Sequence, residues 1–183
     1  MTDNRAQRWL VLLRGVNVSG TGKLPMAQLR AVLADDGFDD VATYIQTGNV
    51  RVSSALDRAA IEARMEAILR DHFALDRPAM ALTAAELEQA LAQNPFPQAA
   101  AAPTTLHLVF LKGLDGVDMD GLAPYCDKGE EVALIGNVFF LYTPNGAGKS
   151  RVANRYEKHI RAAAVTARNL NSCRKLLDFM QGE

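Results

Sequence analysis

Cysteine is scarce in this chain of 183 residues: Cys126 and Cys173 are the two present. Two thiols cannot staple a small secreted scaffold, and these stand in no CxxC pair of the redox or zinc type. Histidine is nearly as rare. His72, His107 and His159 are scattered, with no partner at metal-ligand spacing, so neither a metal nor another cofactor is expected. No apolar run reaches the roughly 18 residues that a membrane-spanning helix needs, and the opening residues lack the pattern of a secretory signal. A cytoplasmic setting, away from any membrane, is the expectation. Net charge is missing too. The 20 Lys and Arg against 21 Asp and Glu leave −1, a weak field for drawing the whole molecule to nucleic acid or an anionic surface.

Hydrophobic residues at 49% and charged residues at 22% are ordinary for a globular protein. The length allows one domain or two small ones. Charge is uneven along the chain. From Lys149 onward eight bases face three acids, whereas Asp115 to Glu131 holds six acids. The basic tail can attract phosphate or RNA, or can simply be a solvated helix surface.

The pattern of elements reads twice. Trp9 to Arg14 is a strand, Gly15-Val16-Asn17 breaks it, and Ser19 to Gly22 is turn chemistry. Pro25 opens a helix with Met26, Leu29, Val32 and Leu33 on one face, and Gly37 ends it. Val41 to Gln46 and Val50 to Ser53 are strands around a tight turn at Thr47-Gly48-Asn49. A helix over Asp57 to Asp71, a short strand over Pro78 to Leu82 and a helix capped by the Thr83/Glu86 box follow. Asn94 to Pro103, rich in Pro and Ala, reads as a linker. Then come a strand at Leu106 to Leu111, a short helix at Asp118 to Tyr125, and a hairpin of Glu131 to Ile135 and Val138 to Tyr142 about Gly136-Asn137. A helix at Lys149 to Ala163, a short strand at Val165-Thr166 and a helix at Leu170 to Met180 complete the chain. The order predicts an α+β fold: a tandem duplication of ferredoxin-like (βαββαβ) subdomains with extra helices. Residues 1–94 form the first half with an added helix, 95–103 the linker, and 104–183 the second half with a C-terminal helix.

Chemistry concentrates where strands end. Arg14 can fork onto a phosphate or carboxylate, and Asn17 can both donate and accept. Lys23 follows the Ser19–Gly22 loop. Strand alternation puts Tyr44 and Gln46 on one face, and a Gln among strand residues needs satisfied partners. Pro144 to Ser150 looks like a phosphate-binding loop but places Thr143 where the first Gly is required, so nucleotide hydrolysis is not expected there. Its glycines, with Ser150 at a helix start, can still hold an anion. Arg168 is a second guanidinium beside a loop, and Asn169 can cap the last helix. Cys173 has no histidine placed near it and reads as a small core residue.

These blocks resemble the DUF1697 group of small bacterial proteins across Leu12 to Leu177. The carriers are LLRGVNV, KLPMAQLRAVL and YIQTGNV in the front half, with TPNGAGKS and TARNLNSCRKL behind. The resemblance implies two ferredoxin-like halves and no assigned activity. Matching family-typical positions include Arg14, Gly15, Asn17, Lys23, Met26, Tyr44, Gln46, Gly48, Asn49, Ser150, Arg168 and Asn169. The family usually carries an aromatic, typically Trp, where this chain has Leu170.

Three functions compete. The first is a binding protein for an anionic small molecule, a nucleotide or RNA. Arg14 and Arg168 would neutralise charge, with Asn17, Lys23, Gln46 and Asn169 around a site near the junction of the halves. The second is a metal-independent enzyme acting on a phosphorylated or acyl substrate, with Tyr44 as acid. The third is a protein-interaction or scaffold module.

Overall fold

Antiparallel pairing sets the same strand order in two sheets. The computed structural model describes residues 6–18, 20 and 22–182. The chain divides into two compact units, residues 1–87 together with 176–183, and residues 88–175.

The first unit carries β1 (Gln7–Leu13), α1 (Met26–Asp35), β2 (Asp39–Tyr44), β3 (Asn49–Ser54), α2 (Arg58–Phe73) and β4 (Ala79–Leu82). Its strand order is β2-β3-β1-β4, so the β2–β3 hairpin lies on one side of β1 and β4 on the other. Trp9 to Leu13 are buried without interruption, as a central strand covered on both faces requires. The predicted helix stripes face this sheet: Met26, Leu29 and Leu33 from α1, and Ile61, Met65, Ile68 and Leu69 from α2, pack with Val11, Leu13, Val50 and Val52 in one cluster. Burial of each such side chain stabilises by about 1.5–3 kcal/mol. The edge strand β4 is closed from α2, where Glu66 accepts from Ala79 N at 3.0 Å and the buried Glu62 from Ala81 N at 2.9 Å. The capping box at α3 (Ala84–Ala92) forms as read, with Glu86 N on Thr83 Oγ1 at 3.2 Å and Thr83 N on Glu86 Oε2 at 2.8 Å.

The second unit repeats the order as β5 (Leu106–Val117), α4 (Met119–Leu122), β6 (Glu131–Ile135), β7 (Val138–Tyr142) and β8 (Ile160–Asn169), paired β6-β7-β5-β8. The last helix, α5 (Leu170–Gln181), starts in this unit and ends in the first. Val109, Leu111, Leu122, Phe139, Leu141, Val152, Ile160 and Val165 form the core. The two sheets are the duplicated ferredoxin-like arrangement.

One predicted helix is absent. Lys149 to Ala163 forms turns and single 3₁₀ segments at Ala147–Lys149 and Tyr156–His159, and the short strand expected at Val165-Thr166 runs from Ile160 to Asn169. Helix propensity is a weak guide that tertiary pairing overrides. Here residues from Ile160 onward pair with β5, from Val117↔Ile160 to His107↔Asn169, and that long ladder of backbone bonds outweighs the preference at the end of the predicted helix.

Candidate functional site

Three segments meet at one end of the first sheet. They are the loop after β1, the β2–β3 turn, and the residues leading into β4. Leu13 N donates to Gly48 O at 2.8 Å and Arg14 N to Pro78 O at 3.4 Å, which ties the start of the loop to the other two. Asn17 then ties the loop to its own far end and to the turn. Its Nδ2 donates to Leu24 O at 2.9 Å and to Gln46 O at 2.8 Å, while its Oδ1 accepts from Leu24 N at 2.8 Å. The residue is left-handed at φ 53°, a conformation Asn tolerates better than most.

Two glycines permit this approach. A β-carbon on Gly48 would stand 2.5 Å from Val16 Cγ2 at a φ of +76°, and one on Gly22 would stand 2.3 Å from Gly15 O. The second contact presses Arg14-Gly15 against Gly22-Lys23. Arg77 lies against Gly15, with Nε 3.7 Å from where a β-carbon of Gly15 would be. Arg77 Nε is buried without a hydrogen-bond partner. Lys23 is exposed. Arg14, Lys23 and Arg77 thus share one loop cluster. Arg77 sits between Asp76 and Pro78 in an unpatterned connector, so its sequence carried no signal; the nearest was its position just before a strand.

Other predicted residues sit differently. The strand β2 ends at Tyr44, and Ile45 turns left-handed at φ 50°, so alternation does not carry through to Gln46. Gln46 lies exposed in the turn and offers its carbonyl to Asn17, so its side chain does not face a buried strand environment. The Tyr44 ring lies 5.8 Å from that of Phe179. Asn49 is 1% exposed and braces the turn, its Nδ2 on Tyr44 O at 3.2 Å and Thr47 Oγ1 at 3.0 Å. Ser19 and Thr21 of the predicted turn lie outside the described residues.

Ser150, Arg168 and Asn169 belong to the second unit. Ser150 is buried and its Oγ accepts from Ala153 N at 3.0 Å, within a turn. Because no helix follows, the Pro144–Ser150 loop lacks the aligned N–H groups that helix-end anion binding draws on. Arg168 donates to Thr166 Oγ1 at 3.0 Å and Ala167 O at 2.8 Å, and burial lowers its pKa to about 10. Asn169 caps α5, accepting from Ser172 N at 2.8 Å. Leu170, in the family's aromatic position, is core at 1% exposure. Burial pushes the Cys173 thiol up to about 12, out of the range of a nucleophile.

At the opposite end of the first sheet a cleft is lined by Asp36, Asp39, Ser54, Leu56 and Arg64, where Arg64 is tied to Asp36. Among the described residues no group of His, Cys, Asp and Glu is placed to hold a metal, and no helix is long and apolar enough to cross a membrane.

Fold and loops together define an α+β protein of paired ferredoxin-like sheets with a basic, glycine-built loop end. The chain belongs to the DUF1697 family, described as a protein of unknown function, whose model matches residues 6–140. It is similar in fold to a conserved bacterial protein, SP0830 from Streptococcus pneumoniae, with a TM-score of 0.71 at 22% identity over 96% of this chain and 99% of that one. No curated protein matches it.

Proposed function

We propose that the loop end of the first sheet binds a phosphate-bearing anion, a nucleotide or a short stretch of RNA, in the cytoplasm. The observation that carries this reading is Arg77. Its guanidinium lies against Gly15, the residue that Gly22 touches, with Nε buried and unpartnered. A buried cationic donor left unsatisfied is costly, and an anion relieves that cost. Lys23, exposed and next in the chain to Gly22, adds charge. Asn17 holds the β1 loop to Leu24 and to the β2–β3 turn. The free thiols of Cys126 and Cys173 fit a reducing compartment.

The test is binding to a panel of nucleotides and short RNA and DNA oligomers at low and high salt. Binding should weaken with salt, and Arg77→Ala and Lys23→Ala should each weaken it roughly tenfold or more, the scale of one charge-assisted hydrogen bond. Arg70→Ala, on the exposed end of α2 and paired with Asp71, should leave it unchanged. Absence of binding to every probe at low salt would remove the reading.

A second reading has its own observation. Val18 and Ile45, 50% and 51% exposed, project from the same loops. Apolar side chains beside bases also suit a protein surface. That reading predicts no nucleotide binding and a partner association that persists at high salt.

A further inference from the structure

The four sheet edges are not treated alike. On β2 the ladder is interrupted between Asp39 and Ala42, and Asp40 is left-handed at φ 49°. Such a bulge, with adjacent acids, discourages a neighbour. On β4 the outward amides of Ala79 and Ala81 are taken by Glu66 and Glu62. On β8 the carbonyl of Ala167 is taken by Arg168.

The edge of β6 has no such device among the described residues. Its orientation follows from one bond. Leu111 N donates to Asn137 O, so Asn137, Phe139 and Leu141 turn their backbone groups toward β5, and Val138, Phe140 and Tyr142 turn theirs toward β6. Their partners on β6 are Ile135, Ala133 and Glu131. Val132 and Leu134 therefore point N–H and C=O outward. Their side chains pack on the core of the second unit, so both residues are fixed in place. The strand has no bulge, no proline and no basic residue, and its one charge, Glu131, lies at the end, against Gln98 at 3.2 Å.

We propose that β6 is the pairing edge for a second copy of this chain, joining two four-stranded sheets antiparallel across a two-fold axis at Ala133. In that register Val132 faces Leu134 of the second copy and exchanges both backbone bonds with it. The axis repeats this, giving four bonds in all. Ala133 meets its own copy at the closely spaced, non-hydrogen-bonded position, where small side chains fit. Glu131 falls opposite uncharged Ile135, so no like charges oppose. The overall charge of −1 adds little repulsion between copies. A strand of five residues buries less than the roughly 800 Å² per partner of a standard interface, so the dimer dissociates on dilution.

The test is sedimentation of the full chain from micromolar to millimolar concentration, with amide exchange at Val132 and Leu134. The expected result is a mass that doubles with concentration and slows exchange at those two amides. Leu134→Pro removes an outward donor that makes no bond within the hairpin, and should give a folded monomer. Ala133→Lys and Ala133→Glu should each be monomeric alone, because like charges meet at the axis, and should dimerise when mixed. That rescue is a readout that misfolding cannot mimic. A wild-type monomer at every concentration would overturn the proposal and leave the edge to an extended segment of another protein. A dimer that survives both Ala133 substitutions would overturn it equally.

Discussion

Asn17 fastens three stretches of backbone with one side chain, and does so in a left-handed conformation. Alanine at that position keeps none of the three bonds and tolerates the backbone less well. Asn17→Ala should therefore destabilise the fold by about 2–4 kcal/mol, from three hydrogen bonds of about 0.5–1.5 kcal/mol each. Urea denaturation would measure it, and a loss below half of the lower figure would mean the loop is held chiefly by Gly22 and Gly48. The sequence marked Asn17 as important but not why. A polar side chain after Arg-Gly-Val reads equally as a ligand contact or a brace, and only the positions of Leu24 and Gln46 separate the two. Arg77 was not legible at all, because the Gly15 that it covers lies 62 positions earlier in the chain.

At the scale of elements, the hairpin of β6 and β7 was legible to the residue, since Gly-Asn between two apolar runs fixes the turn and the turn fixes the register. The stretch before β8 was not. Val152, Tyr156 and Ile160 recur at helical spacing, yet Val152 and Ile160 reach the same core from a turn and a strand. Spacing records which side chains are buried, and two backbones can bury the same set. The pairing of β8 makes a direct prediction. Ala164, opposite Lys112, turns its N–H into the ladder, whereas Ala167 turns its N–H outward. Ala164→Pro should cost about 1–3 kcal/mol through the lost ladder bond, and Ala167→Pro distinctly less. Thermal melts followed by circular dichroism compare the two. A helix over these residues would instead suffer from proline at either position.

For the molecule as a whole, the duplicated order was readable because each half repeats a turn between two strands and a central apolar strand. The interleaving of the units was not, since nothing local marks residues 176–183 as belonging with the first sheet. Arg8 Nη1 donates to Met180 O at 2.9 Å and Arg51 Nη1 to Phe179 O at 2.6 Å, with the Arg51 guanidinium 4.8 Å above the Phe179 ring. Met180 is 2% exposed. Ending the chain after Lys175 should therefore destabilise the first unit by several kcal/mol, from two buried side chains, Leu176 and Met180, of about 1.5–3 kcal/mol each and two charged hydrogen bonds of about 1.5–3 kcal/mol each. Hydrogen exchange at β1 and β3 would register it, and unchanged protection there would show that the closing residues are dispensable.

That closure also sets an order in time. A ribosome making this chain finishes the first sheet's strands, then adds the 88 residues from 88 to 175 before the segment that completes that unit appears. At about 5–20 residues per second the wait is roughly 4–18 s. Through that interval the nascent first sheet lacks Phe179 and Met180, while the whole of the second unit is being made. The unit that begins the chain is the one that is completed last.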